Sequence, residues 1–332
     1  MSSSKEHVES EDVKETIKNE IKPSKSGSVL FPNENKYSHI KNKLVRSKQY
    51  QKAKKEQKKA KKIAKKARKT EDAPKKVPHT LESLRVKDET TVEDVNSEEN
   101  VLVQNDFDND EFSGYYQQIY EPKVLITYAD NPMKKTRIFG RELTRIIPNS
   151  TSLYRNRSGV KKIVKSAIKE NFTDILIINE NRKEPDGLLV IHLPDGPTAH
   201  FKVSNVRITT ELRKNHKEIT EHRPEVILNN FTTRLGLTVG RMLGALFHYN
   251  PEFEGRRAVT FHNQRDYIFF RHYRYGIDGD GKKARLKELG PRFTLKLRSL
   301  QKGTFDSKYG QYEWIIDGRR HAMETSRRKF NL

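Results

Sequence analysis

The chain has 332 residues, 66 Lys and Arg against 44 Asp and Glu for a net charge of +22, and no cysteine. It therefore has no disulfide framework, no thiolate zinc or iron–sulfur site and no thiol nucleophile. Only 33% of residues are apolar, against about 45–50% in ordinary globular chains, and no run approaches the ~18 apolar residues of a membrane span. The opening MSSSKEHVESEDVKE has no apolar stretch, so no secretory leader is expected.

Taken in order, the charge falls in blocks. Residues 1–40 hold few large apolar side chains and read as a disordered tail. Residues 41–69 carry 15 Lys and Arg against one Glu, and residues 71–121 reverse the sign with 14 acids against 4 bases. Blocks of like charge repel and stay solvated, so 1–121 reads as mostly disordered, with 70–121 an acidic linker and the folded part beginning near Pro122. The basic block is a solvated tail or nuclear-localisation signal, or a segment that becomes helical on an RNA backbone once phosphate removes the Lys–Lys repulsion. Its candidate phosphate contacts are Lys54, Lys55, Lys58, Lys59, Lys61, Lys62, Lys65 and Lys66. The acidic block is a candidate competitor for the basic one.

From Lys123 short strands alternate with amphipathic helices. KVLITYA (123–129) reads as a strand and a helix runs from about Lys134 to before Pro148. TSLYRN is a short strand, Ser158 is a candidate N-cap, and a helix covers 159–171. Strands follow at 174–179, 187–193 and 199–203, divided by turns at Pro185-Asp186-Gly187 and Pro194-Asp195-Gly196-Pro197. This pattern argues for an α/β layered domain. In the first helix Phe139, Leu143 and Ile146 face inward while Arg137, Arg141 and Arg145 form a stripe. In the second, Val160, Ile163, Val164, Ala167 and Ile168 form the apolar face opposite Lys161, Lys162, Lys165 and Lys169. Single lysines are ordinary solvated charges, but one-sign faces with few acids suit phosphate contact.

A second half begins near Arg223. EVILNNF reads as a strand, and Gly236, Gly240 and Gly244 in GLTVGRMLGALF suggest a helix packed closely onto the sheet. RRAVTF (256–261) and DYIFFRHYRY (266–275) are strands joined by HNQR. In the second of these, Tyr267, Phe269, Arg271, Tyr273 and Tyr275 share one face and Ile268, Phe270, His272 and Arg274 the other. Aromatics interleaved with Arg suit either a core or a base-stacking platform. PRFTLKLRSL alternates, with Phe293, Leu295 and Leu297 inward and Arg292, Thr294, Lys296 and Arg298 outward. Arg256, Arg257, Arg265, Arg271, Arg274, Lys296 and Arg298 complete the candidate RNA contacts.

The run Gly276–Lys283 nearly matches a phosphate-binding loop, but Lys283 stands where magnesium needs Ser or Thr, and Asp278 and Asp280 repel phosphate; it reads as a flexible loop. His248, His262 and His272 lack metal-ligand spacing. Asp266 reads as a turn or ion-pair partner of Arg265 or His262. No residue set suggests a reaction, and neither a cofactor nor a small-molecule ligand is expected.

The stretches VLITYADNP, FGRELTRIIPNS, FTDILIINENR, IHLPDGPTAHFKVSN and FTTRLGLTVGRMLGALFHYNPEFEGRRAVTFHNQRDYIFFRHYRY resemble the Brix domain of eukaryotic ribosome assembly factors. LGPRFTLKLRSLQKGTFDSKYGQYEWI and SRRKF are similar to the family member acting on the large subunit. The resemblance implies a domain over 122–310 with two similar halves (about 122–215 and 223–310), each a mixed sheet packed with helices and anticodon-binding-domain-like, followed by an extension over 311–332. It further implies a nucleolar, nuclear, non-catalytic factor acting on precursor rRNA of the large subunit with a smaller dedicated protein partner and other pre-60S proteins, and no membrane. A protein-docking scaffold whose tail alone touches RNA, and an RNA-processing enzyme, are the alternatives.

Overall fold

A computed structural model describes residues 37, 39–70, 78–92, 101–212, 219–278, 283–316 and 328–332. The expectations for residues 1–36, for 71–77 and 93–100 of the acidic linker, for the centre of the Gly276–Lys283 loop and for half of the C-terminal extension (317–327) lie outside the described residues. The chain divides into two compact units, Met1–Pro78 and His79–Leu332.

In the first unit the basic block is one helix, α1 (Lys43–Thr70). Asn42 starts it, its Oδ1 accepting the backbone N–H of Leu44 at 3.0 Å, a standard way to satisfy an orphan donor at a helix start.

The second unit is built on one sheet. Its strands are β1 (Val124–Tyr128), β2 (Ser150–Ser152), β3 (Asp174–Asn181), β4 (Glu184–His192), β5 (Thr198–Arg207), β6 (Glu225–Asn229), β7 (Arg257–Gln264), β8 (Tyr267–Ile277), β9 (Ala284–Glu288), β10 (Arg292–Gln301) and β11 (Tyr312–Ile315). The order is β2-β1-β3-β4-β5-β10-β8-β7-β6, with β9 on β8 and β11 on β10. Apart from the extra edge strand β2, the order is a palindrome. A parallel pair (β1 with β3, β6 with β7) continues into antiparallel strands (β4 and β5, β8 and β10), and the halves join through the antiparallel β5–β10 ladder.

Helices α4 (Lys134–Ile146) and α7 (Arg234–Ala245) follow the first strand of each half, and the one-turn α6 (Thr209–Leu212) follows β5. Both bury their apolar stripes in one cluster on the same sheet face, through Phe139, Leu143 and Ile146, and through Val239, Met242 and Leu243. Helix α5 (Val160–Lys169) covers the opposite face of the first half only, where Val164 and Ala167 meet Leu125, Ile175, Ile177, Leu189 and Ile191. Strand β3 is therefore buried on both sides, which explains its unbroken apolar run rather than an alternating one.

Several local expectations are corrected. The β3–β4 turn is Arg182-Lys183, with φ of 50° and 68°; Pro185-Asp186-Gly187 lies inside β4, where the register shifts. Likewise His262, Asn263 and Gln264 belong to β7, and the turn is Arg265-Asp266, with φ of 56° and 64°. Two consecutive left-handed residues match the twist of a hairpin, and that geometry outweighed the Pro-Gly signal. Gly159, not Ser158, caps α5. Of the α7 glycines, Gly244 does face the sheet, a Cβ there standing 3.5 Å from Leu228 Cδ1 of β6, but the tightest approaches are to other segments. A Cβ at Gly236 would stand 2.8 Å from the Leu332 carbonyl carbon, and one at Gly244 3.0 Å from the Tyr116 hydroxyl.

The folded unit also reaches back past Pro122. The short helices α2 (Val101–Asp108) and α3 (Ser113–Tyr116) form a strap whose Phe112 and Tyr115 are buried in the main core. The Tyr115 hydroxyl donates to the Phe247 carbonyl at 2.8 Å. Asp110 takes two hydrogen bonds from the Arg241 guanidinium, at 2.6 and 2.9 Å, which also lies against the rings of Phe107 and Tyr116 at 4.5 and 4.0 Å. Asp106 pairs with Arg234 and Glu82 with Arg265. These acids thus engage arginines of the folded unit.

Candidate nucleic-acid interface

The amphipathic helices place their charges as their periodicity predicts. Arg137, Arg141 and Arg145 on α4, and Lys161, Lys162, Lys165 and Lys169 on α5, are all exposed. Two are engaged: Arg137 Nε donates to the Pro132 carbonyl at 2.7 Å, and Lys161 Nζ meets Asp306 at 2.9 Å. The Lys161 hydrogen bond holds the Asp306 carboxyl down to about 2. Ile168 is 40% exposed and leaves the buried stripe. At the C-terminal end of β1 a 620 Å³ cleft is lined by Arg137, Arg155 and Arg157, with Asp130 holding Arg155 at 3.2 Å. Periodicity did not single out Arg155 and Arg157; the Arg-Asn-Arg triplet after the short strand was the available signal. The adjacent α4 N-terminus is already filled, since Glu180 accepts the Met133 N–H at 2.8 Å and the Thr136 hydroxyl.

On β8 the two faces separate clearly. Ile268, Phe270 and His272 are at most 1% exposed, while Tyr267 is exposed and Phe269, Arg271 and Tyr273 are half-buried on the side away from α7. Lys296 Nζ lies 4.7 Å from the Tyr267 ring centroid and the Arg271 guanidinium 5.9 Å from that of Phe269. Register places Thr294 between Phe269 and Ser204, and Lys296 opposite Lys202. Thr294 is buried by these neighbours rather than presented to solvent. Arg298 follows Lys296 at the point where the β10–β5 register shifts. Beside it His200 has its pKa lowered, by burial first and then by Arg298.

Other candidates do not join these surfaces. Arg257 is 1% exposed; its guanidinium donates to the Thr220 and His222 carbonyls at 2.5 Å each and to His272 Nε2 at 3.2 Å. It is an interior hydrogen-bond hub, not a phosphate contact. Arg274 pairs in register with Arg257 on the covered side. Arg265 is tied to Glu82 at 3.1 Å. Arg256 is exposed at a left-handed position with φ of 46°. Asp266 pairs with neither Arg265 nor His262: it accepts the backbone N–H groups of Asn331 and Leu332 at 2.7 and 2.9 Å, and burial raises its pKa. On α1, Lys54, Lys55, Lys58, Lys59, Lys61 and Lys62 are exposed; the side chains of Lys65 and Lys66 lie outside the described residues. Among the described residues no group of three His, Asp or Glu is placed to hold a metal.

A mixed sheet of two similar halves packed with helices is the architecture that the motif resemblance implied. The family model of the Brix domain matches residues 130–299, and the chain belongs to the Brix family. Among curated relatives, Probable ribosome production factor 1 of Drosophila melanogaster is 62% identical over 296 residues, covering 89% of this chain and 75% of the relative. Ribosome production factor 1 of Xenopus laevis is 56% identical over 259 residues (78% and 74% covered). That of Danio rerio is 53% identical over 321 residues (94% and 95% covered).

Proposed function

We propose that this Brix protein is a ribosome biogenesis factor that binds precursor rRNA of the large subunit in the nucleolus. It acts without catalysis, holding a precursor fold and docking a smaller dedicated assembly partner and other pre-60S proteins. The observation that carries the RNA reading is α1. Its lysines recur at i and i+4, as in Lys54 with Lys58 and Lys55 with Lys59, where like charges destabilise a free helix. A polyanion removes that penalty, and displaced counterions supply much of the affinity. The exposed stripes on α4 and α5 add phosphate partners of the same kind.

The test is affinity of the full-length protein for a large-subunit precursor transcript across a salt series. Changing Lys54, Lys55, Lys58 and Lys59 to Glu should flatten the slope of log K against log salt by roughly 0.7–0.9 for each phosphate left without its lysine. An unchanged slope contradicts the assignment. Lys161→Glu with Lys165→Glu should also weaken binding. The densest charge lies in α1, in a unit of its own, and this favours a second reading, in which the folded unit docks proteins and α1 alone holds RNA. No effect at Lys161 and Lys165, with loss at α1, selects it.

A further inference from the structure

The palindrome has one gap. The first half inserts β2 and α5 after α4, and α5 covers the far face of its strands; among the described residues the second half has no counterpart. Among the described residues no helix lies on the matching face of β7, β8 and the start of β10. We propose that this open face is a single-stranded RNA site on which unpaired bases stack; the inference rests on the RNA-binding reading above and deepens it.

Three observations converge. Aromatic rings at Tyr267, Phe269 and Tyr273 line the open face of β8, and Tyr267 is 38% exposed. Cations stand beside two of the rings, Lys296 at Tyr267 and Arg271 at Phe269, so a stacked base would have its phosphate close to a positive charge. The acids of the face are engaged: Glu288 is held by Arg271 and Arg292, Asp186 by Lys202 at 3.6 Å, and Glu225 accepts the Tyr275 hydroxyl.

Spacing selects the strand state. Residues two apart on a strand are about 6.8 Å apart, twice the ~3.4 Å step of a stacked duplex strand. Consecutive bases reach Tyr267 and Phe269 only when unstacked. A protein occupant fits less well, because lysine is depleted at protein interfaces and here Lys202 and Lys296 face each other across the ladder.

The experiment uses full-length protein and a single-stranded RNA of about 12 nucleotides carrying 2-aminopurine, with an RNA duplex of equal length as control. The wild type should change the 2-aminopurine fluorescence on binding. Tyr267→Leu with Phe269→Leu should abolish that change and weaken single-strand binding at least about fivefold, leaving duplex binding unaltered. Lys296→Gln removes no buried group and should weaken the same binding should the leucine pair fail to fold. Unaltered fluorescence and affinity in these variants overturn the proposal, as does loss of a pre-ribosomal protein with RNA binding intact. Duplex binding without single-strand binding sinks this inference alone; binding of neither sinks the RNA reading itself.

Discussion

Arg257 and His272 form one interior unit. Burial pushes the Arg257 guanidinium down to about 10, with Arg274 acting in the same direction. It holds His272 down to about 4, with the Gly290 carbonyl, 2.9 Å from Nδ1, opposing. A neutral ring donating from Nδ1 and accepting Arg257 at Nε2 satisfies both nitrogens. Arg257→Met leaves buried carbonyls without a donor and should cost about 2–4 kcal/mol in urea unfolding. The unfolded chain binds the His272 proton near the ordinary 6.5, ahead of the folded one. This contribution to stability is therefore complete above about pH 6.5 and declines as pH falls towards 4. Ring nitrogen shifts measured by NMR should report a neutral His272 at pH 5; titration near 6.5 contradicts this. His192 has the opposite sign. Burial opposes its charge, but Asp174 at 2.8 Å raises its pKa overall, so its contribution is present at low pH and lost as pH rises through the folded value.

At the scale of elements, the strap is an integral part of the fold. Phe112 is fully buried and its ring lies 4.7 Å from that of His192. Phe112→Ala should cost about 3–5 kcal/mol, read as a drop in the denaturation midpoint; a change under about 1 kcal/mol would mean that the strap detaches freely. Counting charges over 71–121 hid this strap, because two buried aromatics do not alter a block of 14 acids and 4 bases. Periodicity was the stronger guide. The inward and outward faces of α4 were legible from residue types alone, as were both faces of β8. Turns were less legible, since Arg182-Lys183 and Arg265-Asp266 carry no glycine to mark their left-handed backbone.

For the molecule as a whole, alternating elements foretold the class but not how the two halves join. Nothing local in AHFKV or PRFTLKLRSL says that these strands pair, since the pairing spans the entire second half. The open face was hidden for the same reason: the aromatic row on β8 was visible in the sequence, but whether a helix covered it depended on which half contained α5. Arg257 shows the limit for the candidate site, since a row of basic residues does not reveal which one is interior. The β5–β10 ladder also bears on how the chain is made. A ribosome releases β1 to β5 long before β10, at about 5–20 residues per second, so for seconds the nascent first half presents β5 as an unpaired edge. That edge is a template for wrong pairing, and it must be shielded or kept from other chains until β10 emerges to close it.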